Sequence, residues 1–197
     1  NISVVHIKGG KDPVGSPSDR TVFVSRLTET IKRQYGSFDI FHSHYVHSGV
    51  IGLSIAKQFN RPLIHTFHTL AVVKRRYAGI EDPHRERDEE IIVQNATAII
   101  ASTDFEQHDL VLDYHASQDN IHVVSPGVDH TIFHPYDKGV ARRRLRLPKS
   151  KKILLFVGRI DPMKGITLIL DAVDRLSKEK RGFSEDFRVL LIGGDIQ

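Results

Sequence analysis

Apolar residues in this chain follow two spacings in turn: short unbroken runs, then stretches in which they return every third or fourth position. Residues 2–7 form a short β-branched run and predict a strand. Residues 9–19, rich in Gly, Pro and Ser, predict a loop. Residues 21–35 set Val24, Leu27 and Ile31 on one helical face. A strand is predicted over 38–42, then a helix of small residues over 46–58, suited to close packing on a sheet, then a strand over 62–66. Residues 88–94 belong to a helix with Ile91 and Ile92 inward. A strand over 97–102 leads to a helix over 104–114, with Phe105 near its start. Residues 121–125 predict a strand that Pro126-Gly127 stops.

Strands and helices alternating at roughly 25–30 residue intervals predict parallel βαβ units. In such sheets ligands sit beyond the carboxyl ends of the strands. The polar clusters fall at those ends: His42-Ser43-His44-Tyr45, His65-Thr66-Phe67-His68-Thr69, Ser102-Thr103 and Gly158-Arg159. Residues 133–148 break the rhythm, with two prolines, Gly139 and weak apolar periodicity, and predict a linker with a short surface helix. A second α/β unit follows, with a buried strand over 153–157, a helix over 166–178 and a strand over 188–192 ending at Gly193-Gly194. The expected division is 1–135 as one domain, 136–150 as linker and 151–197 as the start of a second domain.

Composition adds little to this picture. The 197 residues are 40% apolar and 26% charged, as in ordinary globular proteins. No apolar run is long enough for a transmembrane helix, and no basic stretch followed by an apolar one opens the chain. Cys is absent, which excludes disulfides and thiolate chemistry and suits a cytoplasmic setting. Net charge is +4 and unevenly spread, with Lys138, Arg142, Arg143, Arg144, Arg146, Lys149, Lys151 and Lys152 close together. Such a patch suits nucleic acid or an anionic membrane. No aromatics for base stacking are interleaved with the charges, so a solvated helix and linker is expected, with no nucleic-acid partner. Membrane association stays open.

The chemistry concentrates at Phe156-Val157-Gly158-Arg159-Ile160-Asp161-Pro162-Met163-Lys164-Gly165. An apolar run ends at Gly158, two cations follow, and an amphipathic run begins at Ile166. Fixed cations where a strand gives way to a helix suit a dianionic ligand such as a diphosphate, and the helix start adds unpaired N–H groups. His42, His44, His65 and His68 raise the question of a metal, since imidazole is a common ligand. No local carboxylate or Cys completes a ligand set, so no metal site is expected.

Together these residues resemble the GT-B glycosyltransferases, specifically the retaining enzymes of glycosyltransferase family 4. The run 156–165 looks like that family's "VGR…KG" signature. Val124-Ser125-Pro126-Gly127-Val128-Asp129, then Phe133 and Pro135, looks like its "PNGVD…F.P" exit from the N-terminal domain, without the usual Asn. His42-Ser43-His44-Tyr45, His65-Thr66-Phe67-His68-Thr69-Leu70, Arg85 and Glu89-Glu90 resemble the branch that holds sucrose-phosphate synthases and the mycothiol-pathway transferase acting on inositol phosphate.

The resemblance implies an α/β GT-B fold: two Rossmann-like domains facing a cleft, with the acceptor on the N-terminal side and a nucleoside-diphosphate sugar on the C-terminal side. It implies no cofactor, the nucleotide sugar being a co-substrate. Gly158, Arg159 and Lys164 would bind the diphosphate, and the two cations would stabilise the leaving group as the sugar–phosphate bond breaks. That role needs no metal. Tyr45, Thr69 and Arg85 would grip the acceptor's phosphate, and His68 would reach the transferred sugar. The family's Gly-rich loop after its first strand is not recognisable. Its acceptor-phosphate Lys would fall near Lys11 or Arg20, and its paired Glu residues would lie past Gln197, so an internal piece of a chain about twice as long is expected. A GT-B epimerase or phosphorylase, or a sugar-phosphate or nucleotide-binding module without turnover, are the alternatives.

Overall fold

A computed structural model describes residues 2–8, 11–12, 16–161 and 164–194. Pro162 and Met163 of the signature, and part of the loop expected over 9–19, lie outside the described residues. By their contacts the residues fall into two units, 1–127 and 128–197. Residues 128–135, expected in the first domain, group with the second unit.

The first unit is a four-stranded parallel sheet in the order β1 (Phe41–His44), β2 (Leu63–Thr66), β3 (Ala98–Ala101) and β4 (Ile121–Val123). Helices α1 (Pro17–Gln34), α2 (Val46–Phe59), α3 (Ala71–Ala78), α4 (Pro83–Asn95) and α5 (Asp104–Tyr114) accompany it. Because the strands are parallel, all four carboxyl ends lie along one edge, where the polar clusters collect. The core joins Leu63, Phe67, Leu70, Ile92, Ile99, Leu110 and Ile121. Burying each such side chain contributes about 1.5–3 kcal/mol.

Caps fix the helix starts. Ser16, Asp82 and Thr103 each accept, at Oγ, Oδ1 and Oγ1, the backbone N–H three residues on, at 3.3, 3.0 and 3.1 Å. Each satisfies a donor that the first helical turn leaves open. The Asp82 cap matters beyond stability, since the N–H it holds belongs to Arg85. Pro83 follows at the first helical position, where its missing N–H costs nothing.

Helix α2 packs closely on the sheet, as its small residues predict. A Cβ on Gly49 would stand 2.4 Å from Ile92 Cδ1 and 2.8 Å from His65 Cε1. One on Gly52 would stand 3.0 Å from Leu63 Cδ1.

Several expectations are corrected. Residues 2–8 form no strand, and Ile2 and Val4 are exposed. A strand needs a partner for its N–H and C=O groups, and this run lies across an apolar groove from β1, lined by Val5, Ile7, Phe23, Leu27 and Phe41. Strand β1 begins at Phe41 and runs on through Ser43 and His44, because pairing with β2 outweighs their polarity. Ile91 is 41% exposed while Ile92 is fully buried. Neighbours on a helix diverge by about 100°, so both cannot face inward. Helix α3 carries no clear sequence signal of its own, being only eight residues long with three basic residues in its middle.

The second unit holds α6 (Lys138–Arg144), β5 (Lys152–Val157), α7 (Ile166–Glu179), α8 (Phe183–Asp186) and β6 (Phe187–Ile192), with β5 and β6 parallel. Strand β5 is not buried as expected: Phe156 is, but Leu155 and Val157 are exposed. A two-stranded sheet is too small to bury its apolar side chains without further strands or helices packed on its faces. Among the described residues no helix is long and apolar enough to cross a membrane.

Replacing Gly49 with Ala forces its methyl onto Ile92 and His65 and is expected to destabilise the fold by about 1–3 kcal/mol. Urea unfolding of the variant, with its midpoint compared with that of the unaltered protein, checks this.

Candidate active site

The carboxyl ends of β1 and β2 carry the acceptor-side candidates. Tyr45 follows β1 directly and donates its N–H to Thr66 O at 3.0 Å. It also caps α2, with φ at 66°. His68, two residues past β2, has φ at 63°. Both are non-glycine residues in the left-handed region, a conformation costing about 1–3 kcal/mol each and concentrated at functional sites. Their rings meet with centroids 4.8 Å apart.

Thr69 and Arg85 form a second pair. Arg85 Nη2 donates to both the carbonyl oxygen and Oγ1 of Thr69, each at 2.7 Å. Its Nε donates to Glu89 Oε1 at 2.7 Å, one helical turn along α4. The structure thus brings Tyr45 to His68 and Arg85 to Thr69, and the His68–Thr69 peptide joins the two pairs. The i,i+4 pairing of Arg85 with Glu89 leaves Nη2 on Thr69. It aims the guanidinium at Thr69.

Glu89, singled out in the sequence only within the Glu89-Glu90 pair, does more than its place there suggests. It is fully buried. Its Oε2 accepts the Ala71 N–H at 2.9 Å, which caps α3, and a short hydrogen bond from the Tyr114 hydroxyl on α5. Burial raises the Tyr114 phenol above its ordinary pKa, and the hydrogen bond and charge of Glu89 raise it further, so Tyr114 stays a donor. The signal in the sequence is a Glu at i+4 from Arg85, ahead of Ile92-Val93 on the inward face.

The histidines divide by depth. His65 is buried, hydrogen-bonded through Nδ1 to Ser43 Oγ at 2.7 Å, and its Nε2 has no partner. Burial, then the neighbouring His44, His42 and His68, push its pKa from 6.5 down to about 3. His42 and His44 share one face of β1, as its twofold period predicts, with ring centroids 4.2 Å apart. His42 Nε2 pairs with Thr66 Oγ1 at 3.0 Å, and His44 Nδ1 with His68 Nε2 at 2.8 Å. Among the described residues no three His, Cys, Asp or Glu side chains stand together as a metal site.

In the second unit, Gly158 and Arg159 follow β5. The Gly158 N–H donates to Ile192 O at 2.9 Å. A Cβ on Gly193 would lie 1.7 Å from the Gly158 carbonyl oxygen, so only glycine fits at that crossing. Arg159 is largely exposed, with its Nη2 3.2 Å from Asp161 Oδ2. Lys164 is exposed, and its N–H donates to Asp161 O at 2.9 Å. Helix α7 starts at Ile166 with Gly165 as its cap in the left-handed region and no side-chain capping bond. Two long-stemmed cations beside such a helix start offer charge and backbone donors to an anion.

Comparison with known proteins fits this geometry. Residues 4–132 match the family model described as Glycosyltransferase Family 4, and residues 137–197 match Glycosyl transferases group 1. The D-inositol 3-phosphate glycosyltransferase of Kribbella flavida is 38% identical over 166 residues, 82% of this chain and 39% of its own length. That of Streptosporangium roseum is 34% identical over 202 residues, 98% of this chain and 46% of its own. Among solved structures, sucrose-phosphate synthase from Thermosynechococcus elongatus superposes with a TM-score of 0.74 at 28% identity, covering 96% of this chain and 44% of that one. HepE from Anabaena superposes with a TM-score of 0.69 at 15% identity, over 92% of this chain and 45% of its own, a likeness of fold. The chain therefore spans under half the length of each.

Because the folded state holds His65 neutral, its contribution to stability is present above pH 6.5 and is lost progressively as pH falls from there towards about 3. Urea midpoints measured between pH 7 and pH 4 are expected to fall. His65→Asn, which keeps a hydrogen-bonding atom near Ser43, is expected to fall less. An equal fall in both would show that His65 is not the titrating group.

Proposed function

The chain belongs to glycosyltransferase family 4 and has the GT-B architecture, and on that premise we propose that the protein containing it transfers a hexosyl group, with retention, from a nucleoside-diphosphate sugar to a sugar phosphate or polyol phosphate. The observation that carries this reading is Arg85, fixed between buried Glu89 and Thr69 at the carboxyl edge of the sheet. With Nε and Nη2 held by Glu89 and Thr69, the guanidinium presents its charge and its Nη1 donors to a phosphate in a fixed orientation, which is worth more than the same charge on a freely rotating stem. The names of the relatives, an inositol-phosphate glycosyltransferase and a sucrose-phosphate synthase, support a phosphorylated acceptor.

On this reading the roles divide by unit. Tyr45, Thr69 and Arg85 bind the acceptor's phosphate, with the Tyr45 and Thr69 hydroxyls as neutral donors. His68 hydrogen-bonds a hydroxyl of the transferred sugar. Gly158, Arg159, Lys164 and the start of α7 hold the donor's diphosphate. In the reaction the bond from the anomeric carbon to the diphosphate oxygen breaks, and its electron pair leaves with the diphosphate. Arg159 and Lys164 offset that charge, so no metal is called on. The acceptor oxygen bonds to the same face of the anomeric carbon, and its proton passes to a phosphate oxygen. The cytoplasm is the proposed setting.

The test is transfer by the full natural polypeptide that contains this sequence, using UDP-, GDP- and ADP-sugars with fructose 6-phosphate, inositol phosphate and unphosphorylated controls. Transfer confined to phosphorylated acceptors is expected. Arg85→Ala is expected to raise the KM of a phosphorylated acceptor roughly 10–100-fold, the value of charge-assisted hydrogen bonds, with little change for any unphosphorylated one. Equal effects on both would remove Arg85 from the phosphate site, and nucleotide binding without transfer to any acceptor would favour a binding module.

A further inference from the structure

His44 and His68 meet at the carboxyl edge of the sheet through a bond that the fold itself does not require. Both side chains are exposed, and neither belongs to the core. Yet their rings lie 5.1 Å apart at 21°, with Nδ1 of His44 2.8 Å from Nε2 of His68. His44 is backed in turn by His42, whose ring lies 4.2 Å away and whose Nε2 is tied to Thr66 Oγ1. A row of imidazoles thus runs from β1 outward to a residue whose own backbone is in the left-handed region. Tyr45 closes the far side of His68.

A bond between two imidazole nitrogens needs a proton on one and a lone pair on the other. In two neutral rings this couples the tautomers. If Nε2 of His68 carries the proton, its Nδ1 is an acceptor; if Nε2 is bare, its Nδ1 is a donor. His68 can then exchange roles toward a ligand only if His44 exchanges with it in step. Partial desolvation, then the nearby His42 and His68 imidazoles, disfavour the charged form of His44.

We propose that His44 is a positioning residue for sugar transfer: through its bond to Nε2 it holds the His68 imidazole in one orientation and one tautomer, so that Nδ1 of His68 meets the sugar hydroxyl in a single hydrogen-bonding role. This rests on the glycosyltransferase reading above, in which His68 reaches the transferred sugar. The residue acts through His68 and does not itself touch substrate. Its contribution is orientation, for which small misplacements are costly in rate.

The test combines nitrogen NMR of the imidazoles with kinetics, on the full natural polypeptide. In the unaltered protein the two His68 nitrogens are expected to resonate far apart, as in a single tautomer. In His44→Phe, which keeps a ring but no nitrogen, they are expected to move together as the tautomers exchange. The same variant is expected to lower kcat by about tenfold with the acceptor KM nearly unchanged. His44→Asn, which returns a hydrogen-bonding atom near the Nδ1 position, is expected to restore both the nitrogen separation and most of kcat. Exchanging His68 tautomers in the unaltered protein, or an unchanged nitrogen pattern and kcat in His44→Phe, would overturn the proposal. If the unaltered protein transferred no sugar, the glycosyltransferase reading would fail on that result, and the nitrogen resonances alone would decide whether His44 fixes His68.

Discussion

Glu89 carries its carboxylate into the interior of the first unit with no exposure to solvent, and its surroundings are arranged to satisfy it. An uncompensated buried charge is too costly to persist, so the group must be paired and hydrogen-bonded. Three elements supply the donors: the Arg85 guanidinium one turn earlier on α4, the first N–H of α3, and the Tyr114 hydroxyl at the end of α5. The carboxylate therefore does two things at once. It joins three helices, and it fixes the Arg85 side chain so that Nη2 reaches Thr69 at the sheet edge. Removing one partner of such a buried pair typically costs about 3–5 kcal/mol, more than the pair's net contribution, because the other charge is left stranded.

Close packing governs the histidine side of the site. Helix α2 can approach the sheet because Gly49 and Gly52 leave room for His65, Ile92 and Leu63. That approach buries His65, whose Nδ1 is satisfied by Ser43. It also sets the sharp turn at Tyr45, from the end of β1 into α2. Tyr45 and His68 hold left-handed backbone conformations that an isolated chain would rarely adopt. The packed sheet beneath them supplies the energy that keeps them there, and their rings are brought together as a result.

Much of this architecture is legible in the residues themselves. Alternating runs and periodic stretches locate α2, α5, β2 and β6 closely, since each carries a strong period and clear punctuation. The polar clusters after β1, β2 and β3 fall along one edge of the sheet, as their spacing predicts. The features that escape a reading of the residues do so for physical reasons. Strand β1 extends into Ser43 and His44 because a ladder can recruit polar residues. Helix α3 has a first turn stabilised by Glu89, a residue eighteen positions away, which no local window can register. The choice between Ile91 and Ile92 depends on where α4 turns its face, and the Asp82 cap together with packing decides it. Glu89 itself looks like one more charge in a charged stretch. Its importance comes from burial, which sequence does not display. The run over 2–7 has the composition of a strand, but composition supplies no partner.

The most direct measurement is a double-mutant cycle between Glu89→Gln and Arg85→Ala, read as kcat/KM for a phosphorylated acceptor in the full natural polypeptide. If Glu89 serves the site by presenting Arg85, each single change lowers kcat/KM, and Glu89→Gln has little further effect once Arg85 is gone. If the two losses simply add, Glu89 does not act through Arg85, and the link from buried carboxylate to phosphate recognition is contradicted.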